Sequence, residues 1–145
     1  MQIANDVAVP MFNKAGIEVV VTPTKEARHA FEMARTLPIA DYDAMVVIGG
    51  DGTIHEVLNG MLARDDGATV PVGLIPQGTG NSMAMDYKYV VNLEDPEEAV
   101  RVIIGGFAPS SDLNLVTFGP HPTGKLPTKK KNKKNHKNTV QLTGI

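Results

Sequence analysis

Residues 49–53 read Gly-Gly-Asp-Gly-Thr, and they follow directly on the apolar run Ala44–Ile48. One carboxylate, Asp51, thus stands among three glycines where an apolar segment empties into a patterned one. Gly78-Thr79-Gly80-Asn81 repeats the arrangement after the apolar run Val70–Pro76. Glycine belongs where the backbone takes unusual dihedrals or where a ligand comes too close for a Cβ. Free N–H groups at a helix start, with the helix dipole behind them, suit phosphate. Gly49, Gly50 and Gly52 are therefore suited to wrap a polyphosphate. Asp51 is placed to accept a proton from an attacking hydroxyl or to hold Mg²⁺. A plainer reading needs no ligand: a tight turn, with Thr53-x-x-Glu56 as a capping box for the following helix.

Other chemistries fail on spacing. Gly78-Thr79-Gly80-Asn81-Ser82-Met83 opens like a dinucleotide fingerprint, but Met83 stands where the third glycine belongs. A P-loop lysine motif is missing. His55-Glu56-Val57-Leu58-Asn59 departs from the zinc-protease pattern because Asn59 replaces the second histidine, which leaves His55 as a surface or supporting residue. The scattered histidines make no Ser-His-Asp case, and the spacing identifies no set of metal ligands.

The elements that must position these loops follow from periodicity. Ala4, Val7, Ala8, Met11 and Phe12 recur at helical spacing, with Pro10 bending or shortening the helix. Gly16–Thr22 is β-branched and predicts a strand. Ala27, Ala30, Phe31 and Ala34 mark a second helix starting near Pro23 or Thr24. The run Ala44–Gly50 predicts a strand covered on both faces. Ile54, Val57, Leu58, Met61 and Leu62 predict an amphipathic helix. Val70–Pro76 predicts another strand, with a further helix after the second glycine loop. Asp95 as N-cap, Pro96 in the first turn, Glu97 and Glu98 behind it and the stop at Gly105-Gly106 delimit the last helix. Ser111–Phe118 predicts a final strand. Alternating helices and strands imply an α/β fold: an open, mostly parallel sheet flanked by helices. In such sheets ligands gather where strands end and helices begin, and both glycine loops sit at such points.

Composition bounds the class. The chain has 145 residues, 42% of them hydrophobic and 21% charged, which suits one globular core. No apolar stretch approaches the roughly 20 residues of a membrane span, and the N-terminus does not read as a signal peptide. With no cysteine, disulfides and thiolate metal sites are excluded, and a cytoplasmic protein is expected. Residues 125–145 hold seven lysines and no acid. Removing those seven from the 14 basic residues leaves seven against 16 acids, a net charge of −9 for residues 1–124. An acidic body argues against nucleic acid as partner. After Gly119 the Pro, Gly, Lys and Asn content predicts a disordered basic tail over 119–145, with the compact part ending near 118. The lysine run suits peripheral attraction to anionic membranes or a nuclear import signal. It equally suits a solvated tail or residues outside the native reading frame. Oligomeric state is not readable.

Residues Gly49–Gly60, Ile75–Ala84, Asp95–Gly106 and Asp112–Val116, in that order, resemble the diacylglycerol kinase catalytic domain superfamily, above all its sphingosine kinase and ceramide-kinase-like members. Val20–Ala30 also resembles the family's threonine-led nucleotide segment. The Gly-Gly-Asp-Gly-Thr core alone is shared with NAD kinases and phosphofructokinases. The resemblance implies an ATP- and Mg²⁺-dependent lipid kinase whose acceptor is the hydroxyl of a sphingoid base, ceramide or diacylglycerol. It implies Asp51 as the base, with Gly49, Gly50, Gly52 and Thr53 around the reacting groups. Thr24, Glu56, Gly78, Thr79 and Gly80 then contact nucleotide, Asn81 braces the second loop, and Asp112 supports the site from the next domain junction. Lys25 and Arg28 are the nearest basic candidates, and both read equally as solvated helix residues. The family's opening strand with its own glycine loop, and its later β-rich domain, have no counterpart here. Residues 1–118 are then expected to be the nucleotide-binding half of the fold. An NAD kinase-like phosphotransferase and a catalytically silent binding module are the competing expectations.

Overall fold

A computed structural model describes residues 2–87, 92, 95–107, 109–113, 116 and 139–141. A π-helical turn, Ala4–Ala8, runs into α1 (Val9–Lys14); α2 (His29–Thr36), β1 (Met45–Gly49), α3 (Asp51–Leu62), β2 (Val72–Pro76), α4 (Ser82–Tyr87) and α5 (Pro96–Ile104) follow. The widened turn lies just ahead of Pro10, with Val9 N–H donating to the Ala4 carbonyl. Pro10 has no N–H to give, so the expected interruption takes the form of a π turn within a continuing helix.

β1 and β2 pair in parallel, Met45 opposite Val72 and Gly49 opposite Pro76. Successive side chains leave opposite faces of a strand, and here both faces are covered. Val47 and Val72 pack with Ala30, Ala34, Val57 and Met61 of α2 and α3. On the other face Val46, Ile48 and Ile75 meet Ala8, Phe12, Val100 and Ile103. The chain is thus an α/β fold with a parallel sheet between helical layers, as the alternation of elements implies.

Several expectations are corrected. Ile17–Thr22 carries no ladder hydrogen bonds, although Ile17 and Val19 are half-buried against the Phe12 cluster while Glu18 and Val20 are exposed. The side chains alternate as in a strand, but a ladder needs an adjacent edge. Beside this segment lies a cleft instead. α2 begins at His29, later than Pro23 or Thr24, because Arg28 is left-handed with φ 66° and turns the chain immediately before it. The last expected strand is short: β3 (Ser110–Asp112) pairs antiparallel with β4 (Thr139–Gln141) in a separate sheet. The remainder of that expected strand, the boundary near 118 and the lysine-rich run lie outside the described residues. Among the described residues no helix is long and apolar enough to cross a membrane.

α5 fulfils its punctuation. Asp95 accepts from the Glu97 N–H at 2.9 Å, Arg101 pairs with both Asp95 and Glu97, and Gly106 takes φ 70° after the last turn.

Candidate functional site

Because β1 and β2 run parallel and end level, their following loops leave from the same edge of the sheet. Gln77 N–H donates to the Gly49 carbonyl at 2.9 Å and extends the pairing beyond the strands. The loops then touch. A Cβ on Gly78 would lie 2.6 Å from the Gly50 Cα, and one on Gly50 would lie 2.9 Å from the Gly78 Cα. Real Cβ atoms do not tolerate such distances, so these two glycines are required by the fold itself. A Cβ on Gly49 would meet the Thr53 side chain at 2.9 Å, whereas one on Gly52 would meet nothing within 4 Å. Gly52 therefore faces open space.

The capping-box reading is overturned. Gly50 is the N-cap of α3, so Thr53 lies inside its first turn. Glu56 reaches across to accept the Arg28 N–H at 3.0 Å, far from its own helix start. The Thr53 and Ile54 N–H groups are satisfied by the Gly50 carbonyl. The N–H groups of Asp51 and Gly52 precede the first intrahelical bond and point outward with the helix dipole.

Asp51 turns toward the second loop. Its Oδ2 accepts the Ser82 N–H at 3.0 Å and its Oδ1 the Met83 N–H at 3.1 Å. The carboxylate of one loop thus caps the helix that starts from the other. These bonds, Met83 first and Ser82 next, hold the Asp51 carboxyl below the usual carboxylate value, against an opposing contribution from desolvation. Asp51 is ionised at neutral pH and is a weaker base than a free aspartate.

Asn81 is buried, at 9% exposure, and adopts φ 48°. Its Oδ1 accepts the Gly78 N–H and its Nδ2 donates to the Gly78 carbonyl, both at 2.8 Å. A side-chain amide thereby closes the loop like a backbone turn. Gly80 sits against Asp51, a Cβ there falling 3.2 Å from Oδ2. Thr79 and Gly80 are exposed on top of the loop.

Gly49, Gly50, Asp51, Thr53, Gly78, Gly80 and Asn81 thus form one connected group at one edge of the sheet. Thr24 reaches this group through a shared cleft. It lines, with Thr53, a cleft of about 450 Å³ beside β1. Lys25 and Arg28 are not directed at the glycine loops by any described hydrogen bond; the Arg28 guanidinium lies 5.5 Å from the Phe31 ring centroid. His55 is exposed on α3, and Asp112 is exposed in β3.

Three features were not anticipated. Ser82 and Met83 are partners of Asp51. The signal was available, since α4 has no acidic residue in its own first turn and needed an acceptor from elsewhere. Gly60 lets α2 and α3 meet, because a Cβ there would collide with the Phe31 carbonyl. Arg64, its side chain 5% exposed, pairs with Asp66 and donates to the carbonyls of Ala34, Arg35 and Leu37, closing the C-terminus of α2.

Two loops of glycine-bearing backbone thus meet over an ionised aspartate at the ends of two parallel strands. The diacylglycerol kinase catalytic domain family matches residues 2–116, and the chain belongs to this family. It is 36% identical over 122 residues to sphingoid long-chain bases kinase 1 of Arabidopsis thaliana, covering 81% of this chain and 16% of that protein. Sphingosine kinase B of Dictyostelium discoideum is 38% identical over 109 residues, covering 73% of this chain and 14% of that protein. Diacylglycerol kinase of Bacillus subtilis is 34% identical over 105 residues, covering 72% of this chain and 33% of that protein. The chain thus spans between a seventh and a third of the length of these relatives.

Proposed function

We propose that residues 2–116 form the nucleotide-binding part of an ATP-dependent lipid kinase, which transfers the γ-phosphoryl group to a hydroxyl of a sphingoid base, ceramide or diacylglycerol. The observation that carries this reading is the contact of Gly50 with Gly78 beside Asp51, which gathers both phosphate-suited loops at one place. The relatives named for sphingoid bases and diacylglycerol support the acceptor class. Most of their length has no counterpart here, so the lipid pocket is assigned to polypeptide outside these residues.

In this reading the outward N–H groups of Asp51 and Gly52 approach the phosphates, with open space above Gly52 to admit them. Thr53, Thr79 and Gly80 lie next to that approach, while Thr24 and Glu56 serve the nucleotide from the side of the Arg28 turn. Among the described residues no group of three or more His, Asp or Glu side chains can hold a metal ion. Mg²⁺ keeps several waters and takes one or two carboxylates together with substrate phosphates. Asp51 is the carboxylate that would hold it, and bound Mg²⁺ would neutralise charge on the transferring phosphoryl group. A loose phosphoryl-transfer transition state asks mainly for positioning. A carboxylate of lowered pKa therefore suffices to orient the acceptor hydroxyl and to take its proton late.

Thermal unfolding of the full chain with Mg-ATP tests the reading. A ligand at 100 times its Kd adds about 2.7 kcal/mol, and Asp51→Ala should abolish the Mg²⁺-dependent part. Absence of any shift would leave a silent module. Transfer of labelled γ-phosphate to NAD, and not to sphingosine, ceramide or diacylglycerol, would replace the lipid acceptor with a soluble one.

A further inference from the structure

Residues 20–28 are exposed, yet the turn that carries Thr24 is tied down at defined points. α2 opens without a side-chain cap from Arg28, its N-cap residue. The bonding runs backward from His29 instead. Its N–H donates to the Glu26 carbonyl at 3.2 Å, and its imidazole Nδ1 accepts the Lys25 N–H at 3.0 Å. One residue thus closes the turn with both its backbone and its side chain. Nδ1 accepts only while it carries no proton, so the N–H of the neutral ring sits on Nε2. A second tether comes from α3, where Glu56 Oε1 accepts the Arg28 N–H at 3.0 Å. Since α3 begins with Asp51, the turn is set against the same helix that carries the aspartate.

The Lys25 N–H belongs to the peptide unit that begins at Thr24. That unit is planar and trans, so gripping the N–H also fixes the opposite direction of the Thr24 carbonyl. Thr24 lines the cleft of about 450 Å³ together with Thr53, and His29 does not line it. The geometry points to His29 as a positioning residue for the nucleotide: its Nδ1 fixes the Thr24–Lys25 peptide plane, and thereby the pose of Thr24 in the cleft, without touching the ligand. This role rests on the reading of residues 2–116 as a nucleotide-binding unit. Without the bond the exposed turn samples other shapes, and binding must restore the one that faces the ligand, at a cost in affinity.

The test uses the full chain, ¹⁵N-labelled, with His29→Ala, His29→Asn and His29→Gln. Asparagine carries an acceptor oxygen at the same bond count from Cβ as Nδ1, whereas the glutamine amide extends to the level of Nε2. Mg-ATP affinity should fall about fivefold in the alanine and glutamine variants, the worth of one net hydrogen bond, and stay within about twofold of wild type in His29→Asn. Exchange of the Lys25 amide without nucleotide should accelerate in the same two variants and not in His29→Asn. Asparagine as weak as alanine would overturn the proposal, and so would affinities that merely follow the denaturation midpoints across the series, which would mark a histidine serving the helix start alone. A wild type with no Mg-ATP response would overturn the nucleotide reading and this role together. Variants equal to a responsive wild type would overturn this role alone.

Discussion

Gly50 and Gly78 meet backbone to backbone, a Cβ on the second falling 2.6 Å from the Cα of the first. Neither loop can move sideways without separating from its neighbour. Gly78→Ala places a methyl group against main chain that has no rotamer to escape into, and against the Asn81 amide at 3.0 Å. We expect a loss of roughly 1–3 kcal/mol in chemical denaturation, as for overpacking elsewhere, together with loss of the Mg-ATP response. Gly52→Ala is the contrasting change. Its Cβ meets nothing, and alanine favours a helix over glycine by about 1 kcal/mol. Stability should hold or rise while nucleotide-induced stabilisation falls, which separates a fold requirement from a phosphate-approach requirement.

Asp51 links acid sensitivity to α4. Its carboxyl is held below the ordinary value of 3.8 by the Met83 and Ser82 N–H groups. A depressed native pKa stabilises fully above the unfolded value, and that contribution is lost as pH falls through the native one. Exchange of the Ser82 and Met83 amides should therefore accelerate, beyond its intrinsic pH dependence, only below about 4. In Asp51→Asn, whose side chain still accepts one bond, this acid transition should vanish. At neutral pH the variant should remain folded while ATP-induced stabilisation ceases to depend on Mg²⁺.

Gly60 is the point where α3 crosses α2. Alanine there would press on the Phe31 carbonyl and the Ala34 methyl. The overpacking cost of about 1–3 kcal/mol should outweigh the gain in helix propensity. Equilibrium denaturation should therefore show a less stable protein, although the substitution favours an isolated helix.

Arg64 closes α2 from a distant position in the chain. Arg64→Ala removes the donor to the carbonyls of Ala34 and Leu37, and a buried acceptor left unpaired costs roughly 1–3 kcal/mol. Arg64→Lys should recover only part of this, because one ammonium cannot reproduce the planar fork that serves three carbonyls and a carboxylate. Asp66, with its carboxyl lowered to about 2 chiefly by Arg64, should lose its contribution between about pH 4 and 2. An NMR titration of its carboxyl in the two variants checks this, the value returning toward 3.8 in Arg64→Ala.

The fold and the grouping of the loops were legible where the signals were local. The buried runs Met45–Gly49 and Val72–Pro76 announced parallel strands, and the Asp95-Pro96 start with the Gly105-Gly106 stop delimited α5 within a residue. Adjacent placement of Asp51 and Asn81 followed from two like loops after two parallel strands. Misreadings arose where a distant partner decided the outcome. Glu56 stands at capping-box spacing from Thr53, yet Arg28 claims its carboxylate. Val19–Val21 has strand composition, but β-propensity expresses fit to a neighbouring edge, and a cleft intervenes. Arg64 gave no local sign of closing α2 because the carbonyls it serves lie 27 to 30 residues earlier.

The bonds from Ser82 and Met83 to Asp51 also place two demands on a single charge. Each carboxylate oxygen keeps a second lone pair, so a cation or hydroxyl would share Asp51 with the start of α4 and draw on the same negative charge. Occupancy would then be transmitted to residues 82–87 as a loosening, through nothing more than the weakening of two hydrogen bonds.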